Sequence, residues 1–220
     1  MNTPAQKVLV LDVGGTHVKI HLTGARTPVK FVSGPTMTAA RMVATVQKLT
    51  AGWKYDVVSI GYPGPVNHNH PVVEPHNLGG GWVHFDFQKV FGRPVRIIND
   101  AAMQALGGHV GGRMLFLGLG TGLGSALVID KTVLPLELAH LPYKKDRSYE
   151  EYLGAAGLAR QGQEKWLKNV WVVVDLLKKA MIVDYVVLGG GNARLIKKFP
   201  ADVIPGKNSN AFRGGERLWS

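Results

Sequence analysis

Two kinds of residue in this chain have the type and spacing to do chemistry: Gly/Thr turns that can wrap an anion, and carboxylates placed to hold a proton or a cation. The first turn is Asp12-Val13-Gly14-Gly15-Thr16, directly after an apolar run. Its backbone N–H groups and the Thr16 hydroxyl can surround a phosphate, while Asp12 at the strand end can hold Mg²⁺ or its waters. Lys19 could add a point charge, although its place on the following strand suits a solvated role equally well. Gly120, Thr121 and Gly122 form a second such turn. Asn99-Asp100 closes an apolar run and opens a helical pattern. Asp100 there is either a helix N-cap or the carboxylate that accepts a hydroxyl proton during phosphoryl transfer to an alcohol. A strand C-terminus beside a phosphate turn is the place for the second role. Glu137 and His140, three residues apart, could face the same way on one helical turn. With Glu150 or Glu151 they could bind a polyol through charge-assisted hydrogen bonds; a structural histidine is the other reading of His140.

Other chemistries are excluded or unsupported. The 220 residues include no cysteine, so disulfides, thiolate nucleophiles, Fe–S clusters and Cys-ligated zinc are impossible. Glu137 and His140 lack further zinc ligands. His68, His70, His76 and His84 lie among Pro and Asn without metal-ligand spacing. The Gly-x-x-x-x-Gly-Lys-Ser/Thr loop is absent: Ala201 stands at its first glycine, and Asn208 follows Gly206-Lys207. Gly-x-Gly-x-x-Gly does not occur either, so a Rossmann cofactor site has no support.

The elements that must position these residues are legible in the glycine pattern. The 28 glycines cluster directly after short apolar runs, as in strand followed by tight turn. Val8–Asp12, Val57–Ile60, Val95–Asn99, Leu115–Leu119 and Tyr185–Leu188 read as buried strands. Helical spacing joins Met42, Val43, Val46 and Leu49, and again Trp166, Val170, Val173, Val174 and Leu177. Alternating strands and helices predict an α/β fold. Val8–Leu22 and Leu115–Ile129 are both strand, Gly/Thr turn, strand; aligning Gly14 on Gly120 suggests two related halves.

The net charge of +11 divides as +5 up to Gly112 and +6 beyond it. A spread excess fits a general attraction to polyanions or plain solubility better than a dedicated nucleic-acid arm. The start lacks the n- and h-regions of a signal peptide, and no apolar stretch approaches the ~20 residues of a membrane span. The expectation is a soluble, cytoplasmic protein with no membrane partner.

Six motifs, in this order, resemble those of the ROK sugar kinases: Asp12-x-Gly-Gly-Thr16, Gly61-Tyr62-Pro63-Gly64, Asn99-Asp100-Ala101, Leu117-Gly-x-Gly-Thr-Gly-x-Gly124, Glu137-x-x-His140 and Leu188-Gly-Gly-Gly-Asn192. Within that family the chain is most similar to the polyphosphate glucokinases. The similarity lies in Tyr149-Glu150-x-Tyr152-Leu-Gly154, the Lys165-Trp166 region and the ending Asn208-x-Asn210-Ala-Phe212-x-Gly-Gly215-x-Arg-Leu-Trp219. The resemblance implies an actin-like, hexokinase-like (ribonuclease H-like) α/β fold of two domains about a central cleft. A small domain would take residues 1–112 plus 206–220, and a large domain 113–205.

The resemblance also implies roles. Asp100 would be the general base on a sugar 6-hydroxyl. Asn99, Glu137, His140 and Glu150 would hold other hydroxyls, with Gly64 and Asn77 lining the same cleft. Gly14, Gly15, Thr16, Gly120, Thr121 and Gly122 would cradle donor phosphates, with Asp12 serving Mg²⁺. Gly190, Gly191 and Asn192 would meet adenosine or its substitute. The implied activity is transfer of a phosphoryl group from polyphosphate or ATP to glucose, with mannose a further acceptor. A non-catalytic sugar sensor of the same fold is the alternative. Ala139 replaces the glycine usual between Glu and His, and the Cys-rich zinc loop is missing. ROK repressors place a helix-turn-helix ahead of the kinase-like part, for which Val8 leaves no room, so no DNA partner is expected. A homodimer is.

Overall fold

The computed structural model describes residues 6–207 and 209–220. Asn208 of the C-terminal motif and the first five residues lie outside them. The chain divides into two compact units. The first runs to Met103 and takes in Ala211–Ser220; the second is Gln104–Asn210.

The first unit opens with β1 (Val8–Val13), whose six residues are all buried, as expected of a strand covered on both faces. It continues through β2 (His17–Leu22), β3 (Val29–Val32), α1 (Ala39–Leu49) and β4 (Val57–Tyr62). The short pair β5 (Val66–Asn67) and β6 (His70–Pro71), α2 (Phe87–Phe91) and β7 (Val95–Asn99) follow. The sheet runs β3-β2-β1-β4-β7. β1 is antiparallel to β2 and parallel to β4, which is parallel to β7. Helix α1 starts where Thr38 caps Arg41 N and buries Met42, Val43 and Val46 against the sheet core. Leu49, expected on the same stripe, is 40% exposed; it lies on the part of the last turn that the core does not cover. The opposite sheet face is covered at Val8 and Val10 by Ala211 and Phe212. These belong to the C-terminal helix α7 (Asn210–Arg217). There Gly215 is obligatory, because a Cβ would stand 2.3 Å from Val10 Cγ1.

Helix α3 (Asp100–Gly108) begins in the first unit. The second unit then forms β8 (Arg113–Leu119), β9 (Leu123–Ile129), β10 (Thr132–Leu136), β11 (Pro142–Lys144) and β12 (Arg147–Ser148). Helices α4 (Tyr149–Leu153), α5 (Ala155–Gln161) and α6 (Gln163–Met181) lead to β13 (Tyr185–Gly189) and β14 (Val203–Pro205). The sheet order is β10-β9-β8-β13-β14. It repeats the first sheet strand for strand, with an antiparallel hairpin followed by parallel neighbours. Helix α6 buries Trp166, Val170, Val173, Val174 and Leu177, the stripe that helical spacing predicts. Trp166 Nε1 donates to Leu153 O at 2.9 Å, which ties α6 to α4. Among the described residues no helix is long and apolar enough to cross a membrane.

Candidate active site

In the first unit the Gly/Thr turn closes the β1–β2 hairpin. The ladder ends at Val13 opposite Val18, and Gly14 N donates to His17 O at 3.0 Å. Ser33 braces the turn from the end of β3: its Oγ donates to Gly14 O at 2.6 Å and its N to Thr16 O at 3.0 Å. Two turn carbonyls are thereby engaged, and Thr16 stands exposed. Asn77 is brought to this turn, since a Cβ on Gly15 would lie 3.0 Å from Asn77 Cβ.

The loop carrying Asn77 is pinned by two side chains without a motif of their own. Glu74 accepts Trp82 N at 3.1 Å on each oxygen and Val83 N at 3.2 Å. Fully buried Trp82 donates Nε1 to Gly79 O at 2.7 Å. Tyr62 donates its hydroxyl to Val73 O at 2.7 Å. Burial, and secondarily the Glu74 charge, hold that phenol well above its ordinary range, so it stays a donor.

Asp12, Gly61 and Ile98 are register partners across β1, β4 and β7, so the carboxyl ends of three parallel strands lie side by side. The Asp12 side chain is 8% exposed, and Lys19 Nζ lies 2.8 Å from its Oδ2. The ammonium compensates a charge that would be costly to bury alone. Mg²⁺ keeps several waters and takes one or two protein carboxylates beside substrate phosphates. Asp12 supplies one such carboxylate, shared with Lys19, and no cluster of three His, Asp or Glu occurs among the described residues. This donor set fits an ion held chiefly by a phosphate substrate.

Asn99 ends β7 and caps α3: its Oδ1 accepts Ala102 N at 3.1 Å, while its Nδ2 donates to Gly64 O at 3.2 Å. The amide therefore joins two expected sugar-binding positions, Asn99 and Gly64. Asp100 is the first residue of α3, half-buried, and its Oδ1 accepts Ala101 N at 2.8 Å. The helix can settle onto the strand ends because Gly61 has no side chain. A Cβ there would meet Met103 Cε at 2.3 Å and Asp100 Cα at 3.4 Å. Asp100 thus starts two strand spacings, about 10 Å, from the Asp12 strand. That gap suits an acceptor hydroxyl and a transferring phosphoryl.

In the second unit the turn closes β8 onto β9, with Leu119 opposite Leu123 and Gly120 N donating to Gly122 O at 3.1 Å. Asn192 is brought here, its Nδ2 donating to Gly120 O at 3.0 Å. Gly190 permits that approach. Its φ is +84°, and a Cβ would stand 2.4 Å from Leu119 O; only glycine satisfies both constraints. Gly191 opens a short 3₁₀ turn, Gly191–Leu195. The Gly120–Gly122 and Gly190–Asn192 segments therefore meet at the ends of β8 and β13.

Glu150 is placed on this turn. Its Oε2 accepts Leu123 N at 3.2 Å, and a Cβ on Gly122 would stand 2.2 Å from the same oxygen. A Ser148/Glu151 capping box starts α4 and so aims Glu150 inward. Glu137 and His140 flank a 3₁₀ turn rather than an α-helical one, with His140 Nε2 3.7 Å from Glu137 Oε2 and both side chains more than half exposed. Ser125 fixes the turn by donating to Leu136 O at 2.8 Å and accepting Leu138 N at 3.2 Å. Ala139 is buried in the core, which a glycine would leave unfilled. Glu74, Ser33 and Ser125 carry no local signal; each acts on a backbone segment eight or more residues away.

The family model described as "ROK family" matches residues 8–135. A polyphosphate glucokinase of Mycobacterium tuberculosis is 25% identical over 213 residues, covering 86% of this chain and 79% of its own. A glucokinase of Pyrobaculum calidifontis is 27% identical over 196 residues, covering 79% and 66%. Among solved structures, an inorganic polyphosphate/ATP-glucomannokinase from Arthrobacter sp. strain KM superposes with a TM-score of 0.80 at 21% identity, covering 96% of this chain and 97% of that one. A ROK family glucokinase from Streptomyces griseus, in complex with glucose and AMPPNP, gives 0.74 at 18%, covering 96% and 98%. The six motifs, the duplicated sheet plan and these matches agree: the chain belongs to the ROK family and has the actin-like, hexokinase-like fold of its sugar kinases.

Proposed function

We propose that this protein is a sugar kinase that transfers the terminal phosphoryl group of polyphosphate or ATP to the 6-hydroxyl of glucose, with mannose as a second acceptor. The observation that carries the reading is the seating of Asp100 on the strand ends beside Gly61, two strands from Asp12 and its Gly/Thr turn. Asp100 would take the proton of the attacking hydroxyl. Asn99, Gly64, Asn77, Glu137, His140 and Glu150 would hold the sugar. The two turns would present N–H groups to charge that grows on the phosphoryl oxygens. Mg²⁺, when bound at Asp12, would neutralise donor phosphate charge. Gly190, Gly191 and Asn192 would line the far end of the donor. The printed names of the relatives, polyphosphate glucokinase and glucokinase, support this reading of acceptor and donor. We further infer that the protein works in the cytoplasm as a homodimer.

One observation favours the non-catalytic sensor: Glu150 sets a negative charge on a turn that would receive phosphate. Coupled detection of hexose 6-phosphate separates the two readings. ATP, GTP and polyphosphate are each tested with glucose, mannose, fructose and N-acetylglucosamine. Product from glucose with polyphosphate or ATP is expected; no product in any pairing, with glucose still bound, identifies a sensor.

A further inference from the structure

The second unit carries a basic pocket that none of these roles uses. It has a volume of about 560 Å³ and is lined by Lys145, Arg147, Arg160, Lys165 and Lys168 around a floor of Tyr152, Gln161 and Asn169. All five cations are exposed, and among the described residues no carboxylate lines the pocket. Glu164, one helical turn before Lys168, offsets one charge, at 2.8 Å from its Nζ. Five like charges converging on one hollow repel one another, and a polyanion relieves that repulsion.

The floor is fixed rather than fluid. Asn169 accepts Tyr143 Oη at 3.0 Å and Lys144 Nζ at 3.1 Å, and donates to Gln161 Oε1 at 2.7 Å. Gln161 in turn donates to Tyr152 O at 2.9 Å. The β11–β12 hairpin, α5 and α6 are thereby held together, each contributing cations to the rim.

The aromatic rings discriminate between polyanions. Single-stranded nucleic acid is bound by stacking bases on open aromatic faces. Here Arg160 lies over the Tyr152 ring at 5.3 Å and Lys144 over the Tyr143 ring at 4.6 Å, and Tyr143 also packs on Tyr149 and Tyr152. Cations and other rings take the places a base would need. The pocket offers charge without a stacking platform, which suits a chain of phosphates alone.

The pocket is joined to the Gly120–Gly122 turn. Ala155, the first residue of α5, donates its N–H to Thr121 O at 3.1 Å, and a Cβ on Gly154 would stand 2.8 Å from that same oxygen. Arg160 and Gln161 lie at the other end of α5, about 10 Å along its axis. A linear phosphate chain of a few units spans that distance. We propose that this pocket anchors the distal, non-reacting segment of an inorganic polyphosphate chain whose near end lies at the Gly120–Gly122 turn. The proposal rests on the donor reading above, and it adds a chain-length preference that ATP would not share.

Two triple variants with the same change in net charge test it. Lys145→Glu/Lys165→Glu/Lys168→Glu alters the pocket; Lys48→Glu/Lys54→Glu/Lys89→Glu alters exposed lysines of the first unit. Titration with long-chain polyphosphate, without turnover, is read over a range of salt, and KM is measured for long-chain polyphosphate, tripolyphosphate and ATP. The pocket variant should bind long chains about tenfold more weakly, with a salt slope shallower by about 2, while its KM for ATP stays within about twofold of wild type. The first-unit variant should change long-chain binding by less than about threefold. Equal weakening by both variants would reduce the pocket to general charge and overturn the proposal. So would tighter binding of a charge-matched oligothymidylate than of polyphosphate. If wild type binds long chains through the pocket yet makes no product from them, the donor reading fails and the pocket stands. If it consumes them and the pocket variant binds like wild type, the pocket proposal alone fails.

Discussion

The two sheets repeat one strand order, but the charged groups beside their hairpin turns differ. At the first turn the strand carboxylate Asp12 is met by the Lys19 ammonium from the neighbouring strand. At the second, the carboxylate of Glu150 arrives from α4 and takes a backbone N–H of the turn itself. The backbone plan is shared because it depends on strand pairing and glycine. The charges differ because they come from whichever element packs nearby. The first hairpin therefore carries a compensated ion pair, and the second a carboxylate held by a backbone N–H.

This contrast can be broken experimentally. The largest effect should follow Gly190→Ala, which forces a side chain into positive φ and against Leu119 O. A loss of about 2–4 kcal/mol in urea unfolding is expected, whereas Gly191→Ala, with open space at its Cβ, should cost little. Lys19→Met comes next. It leaves Asp12 buried without its ammonium and should cost about 1–3 kcal/mol, read by the same unfolding curve. Glu150→Gln should barely change stability. Its signature is kinetic: a sugar KM about tenfold higher with no rise in donor KM, the pattern of a carboxylate serving the acceptor. A rise in donor KM alone would assign Glu150 to the phosphate turn instead.

The smallest effect is at Asp184. The Arg113 backbone N–H, then its guanidinium, hold this carboxyl below the usual range. A depressed folded value stabilises above the unfolded pKa, and the contribution is lost as pH falls through the folded one. Asp184→Asn should therefore lower the melting temperature slightly near neutrality, and the gap to wild type should close as pH falls below about 4, where the wild-type carboxyl takes up its proton.

What the sequence discloses follows from the range of each interaction. The buried strands, the α6 stripe and the start of α3 at Asn99-Asp100 are local patterns, and the structure places each within one or two residues. Helix α1 departs only at Leu49, where the core ends before the helix does. Both Gly/Thr turns were legible because a hairpin turn needs its glycines in sequence. The meeting of Asn77 with Gly15, and of Asn192 with Gly120, spans 62 and 72 positions of chain. Neither periodicity nor composition reports such contacts. The Glu74 pin and the Asn169 hub are similarly silent, since a lone Glu or Asn in a loop or helix is ordinary. The Glu137-x-x-His140 spacing did signal a shared turn, but its tighter 3₁₀ form depends on Ser125 on another strand.

The role proposed for Asp100 is that of the base in a phosphoryl transfer to sugar. The most direct measurement compares wild type with Asp100→Ala in glucose 6-phosphate formation, alongside calorimetric titration with glucose. Turnover should fall by at least about 100-fold while glucose affinity stays within a few-fold. Near-normal turnover in the variant would show that Asp100 is not the base.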